Sequence, residues 1–275
     1  MRGHTFACFA AFLLASTSAV AQDAKKLALK VKEDDTLEYV IERTTKTKRE
    51  SDQGDFESTQ ESKATYKIEV ADVNDDGTIV LRVRYGAFQG KGGFGDQTWT
   101  FDSTKKAEGE SDPVQSFLRE AASATYTATI AEGRIRDVTG GPEIERGGGQ
   151  GRRGLMGMRS VVGARPIRQD LELIVALPAH GQTLEKGKTY VHRPEERGQG
   201  QGRGRGFFGR GPRYAWKVEE IAADKATFTL SAAPRDESND RAPEIKVEGK
   251  ATVALATGTV ASLEAVTESK SQSDF

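Results

Sequence analysis

Apolar and polar residues alternate along most of the chain. In TLEYVIERTT, Leu37, Tyr39 and Ile41 share one face, and Glu38, Val40 and Glu42 share the other. In ATYKIEV, Tyr66, Ile68 and Val70 alternate with Lys67 and Glu69. In TIVLRVRY, Ile79, Leu81, Val83 and Tyr85 lie opposite Arg82 and Arg84. Successive side chains of a strand point to opposite faces, so this period of two predicts antiparallel strands with one buried face and one wet face. QTWTFDS (97–103), TYTATIA (125–131) and RIRDVT (134–139) continue the pattern. Glu132-Gly133 predicts a tight hairpin turn between the last two.

Two stretches change period. Asp112 is a capping residue, Pro113 suits the first helical position, and Val114, Phe117, Leu118, Ala121 and Ala122 form one apolar stripe, which predicts a helix near 113–123. A second helix is expected over 166–177, closed by Pro178, although LELIVAL within it also alternates.

The later chain repeats the grammar of the earlier one. LEKGKTYVH (184–192) parallels VKEDDTLEYV (31–40), a charged turn followed by an aromatic strand start. RYAWKVEEIAADKATFTL (213–230) parallels ATYKIEVADVNDDGTIVL (64–81), and KVEGKATVALATGTVASLEAV (246–266) parallels ATYTATIAEGRIRDVTG (124–140). The pattern predicts a duplication. The fold class is therefore all-β, mainly antiparallel, with two related twisted-sheet or half-barrel units and one or two short helices. Residues 22–140 form the first unit, 141–180 a Gly/Arg-rich connector, and 181–275 the second unit with a Gly/Arg-rich loop at 197–213.

Three stretches carry a family resemblance: the Y-x-I-x-V-x-D-V-x-x-D-G-T hairpin from Tyr66 to Thr78, the T-F-D-S from Thr100 to Ser103, and the LP…G…L-x-K-G-K-T-Y segment from Leu177 to Tyr190. On these the chain resembles a family of exported bacterial proteins that carry an uncharacterised, duplicated β-rich domain. The family places a tryptophan near the end of the last stretch, where this chain has Tyr190. The resemblance implies export and a β-rich fold, with no assigned activity and no functional residues to carry over.

The first residues predict export independently. Arg2 supplies a basic start, residues 6–15 are apolar but too short to span a bilayer, and Ala19-Val20-Ala21 fits a signal cleavage site. Residues 1–21 are read as a signal peptide, which places the mature chain in the periplasm or outside the cell. Cys8 is the only cysteine, so a mature chain without it has neither disulfides nor thiolate chemistry. No transmembrane anchor is expected. The formal net charge is −1, so the molecule as a whole does not steer toward nucleic acid. Charged residues are 29% of the chain and mean hydropathy is −0.58, which suits sheets joined by polar loops.

Specific chemistry is sparse. DVNDDGTIV (72–80) places Asp72, Asn74 and Asp76 at the first ligand positions of a calcium loop, but Val83 stands where a bidentate glutamate is needed. Asn74–Gly77 is instead expected to be a hairpin turn. His180 and His192 have no zinc-hydrolase spacing, and no G-x-S-x-G is present. No catalytic residue, metal ligand or cofactor is assigned. Tyr39, Tyr66, Trp99, Phe101, Trp216 and Phe228 fall at alternating strand positions and are read as core in preference to a ligand cage.

Two segments have no core-facing period: RGGGQGRRGLMGMR (146–159) and RGQGQGRGRGFFGRGPR (197–213). In the second, Arg203, Arg205 and Arg210 surround Phe207 and Phe208. Guanidinium pairs with phosphate, sulfate or carboxylate, and phenyl rings stack or insert. These five are the candidate binding residues. The partner class is an acidic envelope polymer or protein, and no RNA is expected at that location. Two competing readings make the basic segment a tolerated low-complexity insertion at a loop tip, or let it rest on the chain's own acidic stretch, 50–61. The function read from the sequence is an exported, non-enzymatic binding or interaction module of the cell envelope. The alternatives are a periplasmic carrier of a lipid-like ligand in a half-barrel cavity and a carboxylate-based hydrolase. The pattern leaves the oligomeric state open.

Overall fold

The alternating stretches form strands β1 (Thr36–Ser51), β2 (Phe56–Val73), β3 (Ile79–Phe94), β4 (Gln97–Asp102), β5 (Thr125–Ala131), β6 (Arg134–Gly140), β7 (Thr189–Val191), β8 (Tyr214–Ile221), β9 (Lys225–Ala232), β10 (Glu244–Ala254) and β11 (Thr259–Ser273). Helix α1 (Pro113–Ser123) precedes β5, and α2 (Ala164–Ile174) follows β6. The computed structural model describes residues 26–51, 56–94, 97–106, 112–142, 161–191, 214–233 and 244–273. Residues 1–21, read from the sequence as a signal peptide, lie outside them. No helix among the described residues is long and apolar enough to cross a membrane.

The sheet order is β6-β5-β3-β2-β1-β11-β10-β9-β8-β7, with β4 paired to β3. Two antiparallel meanders thus stand side by side in one sheet, and the described residues are all-β apart from two helices. The meanders meet through β1 and β11, which pair in parallel from Thr45–Thr267 to Ser51–Ser273. This one parallel junction stands in an otherwise antiparallel sheet, within the mainly antiparallel expectation. Alternation is the same in either direction of pairing, so the sequence pattern does not distinguish them.

Strand direction sorts the connections. β6 and β7 run the same way as β1. At the end where β1 starts, neighbouring strands are joined by short links at 74–78, 132–133, 222–224 and 255–258. The turn at Asn74–Gly77 closes as a hairpin, with Asn74 N–H donating to Thr78 O and Gly77 N–H to Asn74 O, both at 2.9 Å. The opposite end, where β1, β6 and β7 finish, is where both Gly/Arg segments leave the sheet.

The inward face carries the core: Tyr66, Ile68 and Val70 of β2, Ile79, Leu81 and Val83 of β3, Tyr126, Ala128 and Ile130 of β5, and Trp216, Phe228 and Leu230 of the second meander. An extra residue in β3, opposite the Thr65–Tyr66 step, turns Phe88 inward after Tyr85. Helix α1 is capped as the sequence predicts, by Asp112 accepting from Val114 N–H at 2.9 Å. It buries Leu118, Ala121 and Ala122. The second helix ends earlier than the expected 177. Val175 and Ala176 both donate to the Leu171 carbonyl, at 2.9 and 3.0 Å, and this shared acceptor stops the regular ladder. Residues 175–179 continue as a buried irregular strap. Helix α2 lies against β6 and reaches β11.

His180, at the end of that strap, ties the two meanders together at the turn end. Its Nε2 is 2.7 Å from the Gly258 carbonyl in the β10–β11 turn, and its Cβ stands against Gly133 in the β5–β6 turn.

Candidate functional site

The one buried charged side chain among the described residues is Asp170, on α2. The helix presents Ile167, Leu171 and Ile174 to the core, and Asp170 stands among them on the same face. Its Oδ1 pairs with the Arg43 guanidinium of β1, and its Oδ2 accepts from the Tyr66 hydroxyl of β2 at 2.6 Å. Tyr66 stacks on Tyr85 with ring centroids 5.0 Å apart. The Tyr85 hydroxyl accepts from the Gly163 N–H, 3.2 Å away, at the start of α2. Gly163 offers no side-chain cap, so this tyrosine takes up a backbone donor the helix leaves free. Strands β1, β2 and β3 each contribute one polar side chain, and together they hold α2 at its start and its middle.

Electrostatics follow burial. Asp170 holds the Arg43 guanidinium above its ordinary range against the opposing effect of burial, with smaller contributions from Tyr66, Tyr214 and Tyr85. Burial pushes the Asp170 carboxyl up, and Arg43 and the Tyr66 hydrogen bond act against it. Burial also raises the Tyr66 and Tyr85 hydroxyls well out of the physiological range. Tyr126, whose hydroxyl donates to the Ala121 carbonyl at 2.8 Å, is pushed up to about 12 by burial. These phenols stay protonated; Tyr66 and Tyr126 donate through theirs, and Tyr85 accepts from the Gly163 N–H. Asp170 faces a cation and a phenol, the pairing that keeps a buried carboxylate charged and in place. The space between Tyr66, Ile167, Asp170, Leu171 and Ile174 does not admit a water molecule. This arrangement fixes an element; it does not present a reactive group.

Sequence reading missed Arg43, Tyr85 and Asp170. A signal was present in two of them: Arg43 shares the inward parity of Leu37, Tyr39 and Ile41, and Asp170 sits within the apolar stripe of its helix. A charge at each of two inward positions is a cue to a buried pair. The aromatic residues read as core are core: Tyr66, Trp99, Phe101, Trp216 and Phe228 are buried, and Tyr39 is half-buried against them. Trp99 lies over Gly90 and Gly92 of β3, with its indole N–H buried and without an acceptor.

Arg203, Arg205, Phe207, Phe208 and Arg210 lie outside the described residues, as does the 146–159 segment. Their attachment points are described. Val191 and Ala215 pair across β7 and β8, so the two ends of the 192–213 segment are neighbours at one edge of the sheet. The 143–160 segment joins the opposite edge strand, β6, to α2. A shallow concavity of about 360 Å³ on β2–β4 is lined by Thr59, Glu61, Lys91, Gly93, Thr98 and Thr100, with Glu61 and Lys91 paired at 2.9 Å. The chain matches no protein-family model, no curated protein and no solved structure.

Proposed function

We propose that this protein is an exported, non-enzymatic interaction module of the cell envelope, in which the Gly/Arg segments contact an acidic polymer or partner protein. The observation that carries this reading is directional. β6 and β7 are the two outer strands of the sheet and run the same way, so both basic segments are delivered to one end while short turns close the other. Two cationic segments at one end reinforce each other against a polyanion, whereas segments at opposite ends would not. The acidic stretch 50–61 leaves from the same end and competes for the arginines at low salt.

The carrier reading is less well supported, because the chain itself fills the inward side of the sheet. Ile167, Leu171, Leu173, Ile174, Ala176 and Leu177 are all buried there. Displacing them to admit a lipid would expose that apolar surface to water. The hydrolase reading lacks its pair of acids at the buried site, where Asp170 meets Arg43 and Tyr66.

The test is a titration of the protein with a sulfated polysaccharide and with polyphosphate at rising salt. Binding is expected to weaken steeply as salt rises. Substituting Arg203→Ser, Arg205→Ser and Arg210→Ser together is expected to weaken it at least tenfold with the thermal midpoint unchanged. Binding that ignores both salt and the substitutions overturns the reading.

A further inference from the structure

The two meanders share one hydrogen-bond register. Ile68 pairs with Val83 as Trp216 pairs with Leu230, and Leu81 pairs with Ala128 as Phe228 pairs with Ala251. A bulge after Val70 in β2 matches one after Val218 in β8. Each meander is therefore a unit with its own ladder, and β1 and β11 are the edges at which the two units meet.

They meet over only part of their length. β1 is paired with β2 from Thr36 onward, and β11 with β10 from Thr259 onward. Their mutual pairing begins at Thr45 and Thr267. Among the described residues no ladder joins 36–44 to 259–266. A strand turns the N–H and C=O of every second residue to each side, so half of the backbone groups in both stretches face a gap instead of a neighbour. The gap is closed at the turn end. Lys30 N–H donates to Thr257 O at 2.8 Å and Asp34 N–H to Val70 O at 2.9 Å, so residues 30–34 cross beneath it from the β10–β11 turn to β2.

Burial agrees with the pairing. One strand further out, β2 buries Tyr66, Ile68 and Val70, and β10 buries Val247, Ala251 and Val253. In β1 no residue from Thr36 to Lys46 is buried. In β11, Ala261, Ser262, Glu264, Ala265 and Val266 are exposed, which covers both faces of the strand. These are middle strands of the sheet, and a continuous sheet would bury one of their faces.

On the core side the gap has a floor. Leu37, Tyr39, Ile41 and Leu263 pack against the core, and the Tyr39 hydroxyl reaches the Thr259 side chain. On the wet face it is open. Val40 and Val266 flank it there, 59% and 61% exposed, the two most exposed large apolar side chains among the described residues. Glu38 and Glu42 share the face of Val40, and Glu264 shares that of Val266. Lys67 and Lys63, which pair with Glu38 and Glu42, sit one strand away on β2, so carboxylates stand nearest the gap.

We propose that this gap accepts an extended peptide segment of a partner protein, one that alternates apolar with basic residues. An extended peptide offers donors and acceptors at the spacing of a strand edge, and so satisfies the free groups of β1 and β11. Its apolar residues cover Tyr39, Ile41 and Leu263. Its basic residues meet Glu38, Glu42 and Glu264, with their aliphatic stems over Val40 and Val266. The site uses none of the arginine segments and does not depend on polyanion binding.

The probe is a labelled peptide of alternating valine and lysine, about eight residues long to match the gap at about 3.3 Å per residue. Fluorescence anisotropy measures binding to the full chain, and amide exchange locates it. In the free protein, alternate amides of 36–44 and 259–266 are expected to exchange as those of an open edge do. The peptide is expected to slow them by about tenfold or more. Methylating alternate backbone nitrogens of the peptide removes donors and keeps the charge. It is expected to weaken binding by about tenfold or more, which separates pairing in the gap from attraction to the acidic stretch 50–61. Val40→Lys is expected to weaken binding with the near-UV circular dichroism unchanged. Amides protected in the free protein at every concentration mean a closed gap and overturn the proposal. Protection that grows with protein concentration alone assigns the gap to a second copy and overturns it too. So does a peptide that does not bind, or one whose methylated form binds as well.

Discussion

Asp170 occupies a position that the stripe of α2 would otherwise give to an apolar side chain. Once buried, it needs Arg43 and Tyr66 together, because an unpaired carboxylate in the core is far costlier than the paired one is helpful. Arg43→Ala is therefore expected to destabilise the protein by about 3 kcal/mol, read as a lower urea midpoint. Replacing both partners, Arg43→Met with Asp170→Leu, should recover most of that loss. A single substitution that leaves the midpoint in place would mean the pair is not holding α2. His180 gives a prediction of opposite chemistry. Burial lowers its pKa below the ordinary 6.5, while Nε2 is bonded to the Gly258 carbonyl and Nδ1 is buried without a partner. The unfolded chain then takes up the proton at a higher pH than the folded one. The contribution of His180 is complete above the unfolded value and is lost as the pH falls through and below about 6.5. Thermal midpoints measured from pH 8 to pH 5 should drop more for the wild type than for His180→Gln, which keeps a donor for Gly258 and does not titrate. Parallel curves would count against it.

At the level of elements, the sequence shows where strands are and not how far they run. The alternation of Leu37, Tyr39 and Ile41 is plain, but β1 continues through KTKRES, polar on both faces, and β3 continues through GKGGF. Those extensions are strands because neighbours pair with them, and pairing leaves no trace in a one-strand pattern. Helix α1 was legible because its cap, its proline and its stripe agree. Helix α2 was legible in its position and shifted at its ends, since LELIVAL satisfies both periods and tertiary packing decided between them. Leu171, buried beside Asp170, is the natural probe of that packing: Leu171→Ala should cost about 3 kcal/mol in chemical denaturation. The turns make a separate prediction. Gly258 has φ +71°, and a Cβ there would lie 2.0 Å from the Ala28 carbonyl oxygen. Gly258→Ala should lower stability by at least about 2 kcal/mol and loosen the N-terminal segment, seen as faster amide exchange at 27–30. An unchanged exchange pattern would show that the segment is held elsewhere.

For the molecule as a whole, the duplicated grammar was readable as pattern, and the register gives it a physical meaning that pattern alone lacks. Matching bulges at Val70 and Val218 are costly irregularities of the ladder, and their recurrence at corresponding places is a stronger sign of likeness than shared alternation. What the sequence could not show is how the halves join. The junction of β1 with β11 also sets the order of events as the chain folds. Thr45 finds its partner Thr267 near the other end of the described chain, so the strand pairing most distant in sequence is also the one at the centre of the sheet. Local hairpins can close in microseconds, but this pairing has to wait for the last strand and for the loss of freedom of everything between. Each meander holds an unsatisfied inner edge during that wait. A chain that crosses a membrane unfolded, beginning with its first residues, would therefore emerge with its central seam still open, and its native sheet would be completed only after β11 had followed.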